Sequence, residues 1–261
     1  MSEPVYQGKP LSSWLKDMEN WNGNTNDAAF MAFRDMGSNA IPPLLRVLQS
    51  GGGRFRHMVM AVNDKQSVVQ LPFGKPWEQS MAAARGLYAM GSNARPALPA
   101  LTNLLFHSNE TITSAIAMAG IGTDALPILL SALSNQNYRI RIAAVSALGE
   151  ERSDLEIVVP ALIGSLRDTN QLVHWSAATS LGQLHAEPDI AVPALMNDFP
   201  SNDKQLRSGI LIALGQFENK ARKAIPMILE ALKDSDNNVS NCAVFALRQI
   251  DPAAAANAGI K

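Results

Sequence analysis

Residues 138–160 read YRIRIAAVSALGEERSDLEIVVP: an apolar run at helical spacing closed by Leu148-Gly149, a polar link, then Pro160 leading a second apolar run, ALIGSL. The pattern recurs. Gly149, Gly182 and Gly215 stand 33 residues apart, and each is followed eleven residues later by proline, at Pro160, Pro193 and Pro226. Another 33 residues reaches Arg248, in NVSNCAVFALRQI, where one more helix ends the array. Earlier, Gly37, Gly91 and Gly122 are each followed five residues later by Pro42, Pro96 and Pro127. The step of 27 from Gly122 to Gly149 is the period of 33 less six link residues, so the deletion lies in a loop. Self-similarity at such a period marks stacked helical hairpins, each burying its neighbour's apolar side. The expectation is an all-α fold, a right-handed α-solenoid of about six helix-hairpin repeats plus a terminal half repeat.

Outward from that stretch, helix A of each repeat falls at 27–36, 79–90, from 111, from 138, from 171 and from 204, with a last helix A at 239–250. Helix B follows each glycine, ending near residues 50, 105, 133, 166, 199 and 232. One residue before the glycine position come Met36, Met90, Ile121, Leu148, Leu181, Leu214 and Leu247, all large and apolar. Five before it come Ala32, Gly86, Ala117, Ala144, Ala177, Ile210 and Ala243; the small ones are expected to let helix A approach helix B, with Ile210 the exception. The glycine suits the left-handed position that ends a helix. Proline then fits the first turn of helix B, whose N–H groups lack partners. Asn39, Asn93, Asp154, Asp189 and Asn219 are the expected N-caps of that helix. Asp154 to Pro160 exceeds one turn, so either that helix bends or its cap lies later.

Residues 1–24 are expected to cap the array. Leu11, Trp14, Leu15 and Met18 fall at i, i+3, i+4 and i+7, an amphipathic stripe able to cover the first repeat's exposed flank, which assigns Trp14 to packing. The repeats then occupy residues 25–250, and 251–261 form an alanine-rich tail that extends the last helix or frays. One stretch breaks the rhythm. Gly37 and Gly91 are 54 apart, so residues 51–79 are an insertion, with a glycine-rich entry, a helix expected at 55–69 and an LPFGKP turn. Arg54, Arg56 and His57 give it local positive charge. Insertions in repeat arrays map to loops on one face, often the binding face.

The net charge of −1 is evenly spread: residues 1–130 carry 10 Lys/Arg against 9 Asp/Glu, and residues 131–261 carry 12 against 14. No basic half exists to neutralise phosphates, which argues against nucleic acid as a partner. The single cysteine, Cys242, excludes an internal disulfide and reads as a small core hydrophobe. No run of 18 apolar residues would span a membrane, and MSEPVYQGKP lacks a charged n-region and an apolar h-region. The default expectation is a cytoplasmic chain, or an exported one if a signal peptide precedes the given start.

Tetratricopeptide and ankyrin arrays share a period near 33, and residue positions discriminate. Leu-Gly sits inside the first helix of a tetratricopeptide unit, whereas here it reads as closing that helix; the ankyrin T-P-L-H is absent. Asp/Asn-rich turns leading into an Arg-bearing helix, then ALG, a link and PAL, resemble the HEAT-repeat family, particularly its short bilin-lyase-like units. The matching text is NQNYRIRIAAVSALG, DTNQLVHWSAATSLG and SNDKQLRSGILIALG, and the resemblance covers residues 25–250 apart from the insertion. It implies that Arg141 and Arg207 hydrogen-bond the preceding turn. With Ser114, His174 and Ser240 at the equivalent positions, that ladder is incomplete in the third, fifth and last repeats.

The catalytic and metal-binding patterns that such arrays can carry are missing from this sequence. His57, His107, His174 and His185 precede Met, Ser, Trp and Ala, so the His-Glu pairs of the family's diiron hydroxylases are absent, and the spacing fits no zinc site. Gly51-Gly52-Gly53 is a linker rather than a phosphate loop, no G-x-S-x-G elbow occurs, and Glu150-Glu151 reads as part of a solvated link. Alignment of helix B gives the row that should face the groove: Arg46, Asn103, Ser131, Gly164, Asn197 and Glu230. Beside it run Val47, Leu104, Ala132, Ser165, Asp198 and Ala231. One arginine against two acids does not attract DNA, as the family's glycosylases must, but suits a peptide or protein.

The expectation is a non-catalytic scaffold, without cofactor or metal, that binds a partner protein or peptide through its concave face and the insertion. The candidate residues are Arg46, Arg54, Arg56, His57, Asn103, Ser131, Asn197, Asp198 and Glu230. The alternative is a bilin-lyase-like chromophore-binding or chaperone protein holding a tetrapyrrole.

Overall fold

The computed structural model describes residues 4–50 and 76–260, and they form two compact units, Met1–Ser131 and Ala132–Lys261. The expected helix at 55–69 and the positions of Arg54, Arg56 and His57 lie outside the described residues.

The first unit opens with something the pattern did not announce, an antiparallel pair of two-residue strands, β1 (Val5–Tyr6) and β2 (Lys9–Pro10). Gln7 and Gly8 join them at φ 51° and 74°, the two positive values a type I′ turn demands. Strands this short show no alternation to read. Helix α1 (Leu11–Glu19) then buries Leu11, Trp14 and Met18 and packs on α2 (Ala28–Met36) and α4 (Pro76–Ala89). The Trp14 indole donates to the Tyr6 carbonyl at 3.3 Å, and the Arg85 guanidinium donates to the carbonyls of Met18 and Glu19 at the end of α1. Between α2 and α4 lies α3 (Ile41–Ser50); α5 (Leu98–His107), α6 (Thr111–Ile121) and α7 (Leu126–Ala132) follow. Here the glycines do end their helices: Gly37, Gly91 and Gly122 have φ of 72°, 59° and 78°. Helix α6 lies close against α4, since a Cβ on Gly120 would overlap the Tyr88 backbone.

In the second unit the A helices are α8 (Tyr138–Glu150), α10 (Gln171–Leu184), α12 (Lys204–Gln216) and α14 (Asn237–Ile250), packed side by side in that order. The B helices α9 (Leu155–Ser165), α11 (Pro188–Asp198) and α13 (Ile225–Ala231) each lie against the following A helix. Side-chain caps sit on the A helices. Asn137, Asn170, Asp203 and Asp236, spaced by the repeat, accept hydrogen bonds from Arg139, Leu172, Gln205 and Asn238 N–H at 2.8–3.1 Å. The caps expected on helix B are not formed. Asn39, Asn93 and Asn219 are wound into 3-10 links, Asp189 is inside the first turn of α11, and Asp154 precedes α9 without a side-chain cap bond.

Two further expectations are corrected. Gly149, Gly182 and Gly215 do not end their helices; α8, α10 and α12 run past them. Their role is close approach. A Cβ on Gly149 would lie 2.6 Å from Ser180 Oγ, one on Gly182 2.7 Å from Ala213 Cα, and one on Gly215 3.2 Å from Ala246 Cα. Each partner is 31 residues on, so the three sites are equivalent. The small column five residues before the glycine is buried throughout, Ile210 included. At Gly86 the near neighbour is the Phe33 ring on helix A of the preceding repeat, not helix B. The prolines of the second unit also split, although their links are equal in length. The link before Pro226 winds as a 3-10 segment, Glu218–Ala224, and leaves Pro226 in the first turn of α13, whereas those before Pro160 and Pro193 wind into α-helix, leaving both prolines inside α9 and α11.

The arginine ladder forms where its partner exists. Turn residues Asn135, Asp168, Ser201 and Asp234 recur at the period, each accepting from the backbone N–H two residues on. Arg141 donates to the Asn135 carbonyl at 2.7 Å and, through Nε and Nη2, to both oxygens of Asp168 at 2.6 and 2.9 Å. Arg207 repeats this with Ser201 and Asp234. Between them the next turn offers Ser201 instead of a carboxylate, and His174 pairs with Asp198 of α11. Beyond α14, Asp251 caps a separate short helix, α15 (Pro252–Asn257), accepting from Ala253 and Ala254 N–H, so the tail neither extends α14 nor frays. Cys242 is half-buried and free, its thiol pKa pushed up by burial.

Gly164 provides a control for the packed glycines. It lies inside α9 with open space where a Cβ would stand. Gly164→Ala is therefore expected to stabilise the protein by about 0.5–1 kcal/mol, the helix-propensity gain alone, as an upward shift of the urea midpoint.

Candidate functional site

The aligned row on the B helices is solvent-facing in both units. In the first, Arg46, Asn103 and Ser131 are exposed on α3, α5 and α7; in the second, Gly164, Asn197 and Glu230 are exposed on α9, α11 and α13. The neighbouring row is less open. Leu104, Ala132 and Ala231 are core residues, and Asp198 is half-buried and held by the His174 imidazole. Ser131 Oγ donates back to the Ile128 carbonyl at 2.7 Å. Asn103, Asn197 and Glu230 make no side-chain hydrogen bond among the described residues.

Two residues that sequence reasoning passed over complete this face. Ile157 is 48% exposed and Ile190 44% exposed, on α9 and α11 at equivalent repeat positions. Each lies seven residues, two helical turns, before Gly164 and Asn197, and so on the same face of its helix. The signal was available as a pair of isoleucines 33 apart with no place in the buried stripe. An exposed branched apolar residue repeated on one face, with polar neighbours, has the composition of a protein-contact surface.

A second feature lies along the C-terminal ends of the A helices in the second unit, a groove of about 420 Å³. Glu150, Gln183, Gln216 and Gln249, each one residue after the glycine position, line it at the repeat spacing. Three residues after that position come Arg152, His185 and Glu218, the last two held at φ 37° and 52°, where a side chain is strained. Arg152 donates to the Gly149 carbonyl at 3.2 Å, and the His185 imidazole bonds the Gln183 carbonyl at 3.0 Å. Phe245 lines the same groove and rests on Gly215. This edge was missed because the columns one and three residues past the glycine were read as link. The Glu150-Glu151 pair also divides: Glu150 is exposed, while Glu151 is 4% exposed and accepts from the N–H groups of Arg152 and Ser153, so it ties the link together.

Among the described residues no three His, Cys, Asp or Glu side chains converge as a metal site, and no helix is long and apolar enough to cross a membrane. The strongly placed charges, Arg141 with Asp168 and Arg207 with Asp234, bridge successive turns of the fold.

Comparison with known proteins agrees with this architecture. A family model described as HEAT repeats matches residues 111–182 and 126–197. No curated protein sequence matches the chain. Among solved structures, the CpcE–CpcF complex of phycocyanin lyase from Nostoc sp. PCC7120 is similar at 21% identity and a TM-score of 0.52, over 58% of this chain and 98% of that one. Kap121p is similar in its complex with Pho4p, at 14% identity and a TM-score of 0.57, and in its complex with Nup53p, at 14% and 0.58. Those matches cover 92% of this chain, which spans 29% of the Kap121p chain. At these identities the likeness is one of fold, the α-solenoid of helical hairpins.

Proposed function

We propose that this HEAT-repeat protein is a non-catalytic scaffold that binds a partner protein or peptide through the solvent-facing side of its B helices, with the 51–79 insertion contributing. The observation that carries the proposal is the shared face on α9 and α11, where Ile157 and Ile190 stand exposed in line with Gly164 and Asn197. Isoleucine left in water twice, at the same repeat position, gains free energy only when something covers it. Asn103, Asn197 and Glu230 supply polar groups that the fold itself does not use. Kap121p, bound to Pho4p or Nup53p in the similar structures, is an instance of this fold holding a protein.

The test is affinity capture from native lysate. Ile157→Asp with Ile190→Asp is expected to reduce the captured partner at least about tenfold, since a charge then faces the interface core. Asn103→Ala with Asn197→Ala and Glu230→Ala, or deletion of 51–75, the part of the insertion that precedes α4, is expected to reduce it less. If every captured partner stays bound to all of these variants, the assignment is wrong.

The second reading, a chromophore-binding or chaperone role like that of a bilin lyase, is supported by the match to nearly the whole of a phycocyanin lyase chain. It predicts a spectral shift when the protein is mixed with a bilin, and an unchanged spectrum would remove it.

A further inference from the structure

We propose that the groove across the C-terminal ends of α8, α10, α12 and α14 docks an extended, lysine- or arginine-bearing segment of a partner protein. The site uses none of the side chains assigned to the B-helix face, so either can fail without the other.

The first argument is which polar groups the fold has already used. The groove's cations are engaged: Arg152 by the Gly149 carbonyl, His185 by the Gln183 carbonyl. Its carboxylates and amides are not. Glu150, Glu218, Gln183, Gln216 and Gln249 are all exposed and make no side-chain hydrogen bond among the described residues. Helix C-termini add outward carbonyls and the negative end of each helix dipole. Arg152 keeps its charge when it donates to a neutral carbonyl, but Glu150 and Glu218 outnumber it among the lining side chains, so the groove favours positive charge. Phe245, 42% exposed in the same groove, offers a ring face to an ammonium or guanidinium and an apolar floor to its methylene stem.

The second argument is spacing. Packed helices lie about 8–10 Å apart, so the Glu/Gln rungs recur at about that interval. A polyproline II segment repeats its face every three residues, roughly 9 Å, and leaves its backbone N–H and C=O groups free of internal bonds. A glutamine amide donates and accepts at once, and so can bond such a backbone at each rung whatever the local side chain. The rungs give register along the groove, while Glu150 and Glu218 select the cation.

The experiment pans a displayed library of random peptides, about twelve residues long, on the whole chain. Enriched peptides are expected to be rich in Lys or Arg and to lose about 10–100-fold in affinity on the combined Gln183→Ala, Gln216→Ala, Gln249→Ala variant, from three lost hydrogen bonds. Binding should be unaffected by Ile157→Asp with Ile190→Asp. Glu218→Gly is the second readout: it is expected to raise Tm by about 1–4 °C while weakening the peptide, opposite signs that a purely structural residue would not give. Acidic or neutral enriched peptides, binding indifferent to the glutamine variant, or no enrichment at all would each overturn the proposal.

Discussion

Gly182→Ala is expected to destabilise the protein by about 2 kcal/mol, although alanine is the better helix former by about 1 kcal/mol. The new methyl would meet the Gln216 amide oxygen first, which can turn away, and would then lie 2.7 Å from the Ala213 Cα and 2.9 Å from its Cβ, on a packed neighbouring helix whose backbone cannot swing aside. Overpacking wins only because the obstacle is main chain. The sister sites rank accordingly. Gly149→Ala meets the Ser180 hydroxyl and Cβ first and should cost less; Gly215→Ala meets chiefly the Phe245 ring, which can move, and should be close to neutral. Urea midpoints for the three variants, with Gly164→Ala as the stabilising control, check both sign and order. Equal costs at all three would remove the close-approach explanation.

Arg141→Ala is expected to cost about 2–3 kcal/mol, the range for charge-assisted hydrogen bonds whose loss leaves a carboxylate largely out of water. The Arg141 and Asp168 side chains are only 14% and 12% exposed, and the guanidinium also satisfies the Asn135 carbonyl. Arg141→Lys should recover little, since an ammonium cannot reproduce the two-pronged contact. The pair also sets an acid limb. Hydrogen bonding from Arg141 is the main reason the Asp168 carboxyl is held below the usual carboxylate range. Its stabilisation is therefore present above the ordinary carboxylate pKa, near 4, and is lost as pH falls through the lower folded value. Stability measured between about pH 5 and 2 should fall more steeply for the wild type than for Arg141→Ala. Parallel acid limbs would show that the pair does not couple folding to protonation.

What the sequence disclosed, and what it did not, follows from where the information lies. Helix A carries the period because burial constrains every third or fourth residue, so Leu148, Leu181 and Leu214 and the runs around them place α8, α10 and α12 to within a few residues. The prolines of the second unit marked helix B, but not its start: the link before Pro160 is long enough to wind into helix, and local pattern cannot tell a polar link from a polar helical turn. Glycine misled for a related reason. The same residue satisfies a positive φ at Gly122 and a crowded contact at Gly182, and only the neighbouring helix distinguishes the two roles.

The candidate surfaces were legible in part. Aligning helix B picks out residues that are exposed on the B helices, and the same alignment one and three residues past the glycine would have shown the Glu/Gln column and its strained companions. Ile157 and Ile190 were hidden by a rule that counts apolar residues as core, although their spacing set them apart. Asp198, placed on the binding row by alignment, is instead claimed by His174, because Ser201 stands where the ladder needs a carboxylate.

The central claim is that successive A helices stack at a distance set by glycine against a small residue 31 positions on, and that this stack builds both surfaces. A double-mutant cycle on Gly149→Ala and Ser180→Gly measures it most directly, because the Ser180 Oγ and Cβ are the atoms a Cβ at Gly149 would strike, at 2.6 and 2.8 Å. Ser180→Gly alone loses the hydroxyl's bond to the Val145 carbonyl and some helix propensity. The stacked arrangement predicts that the double variant is more stable than the sum of the single losses implies, by about 1 kcal/mol or more. Losses that add to within about 0.5 kcal/mol would contradict it.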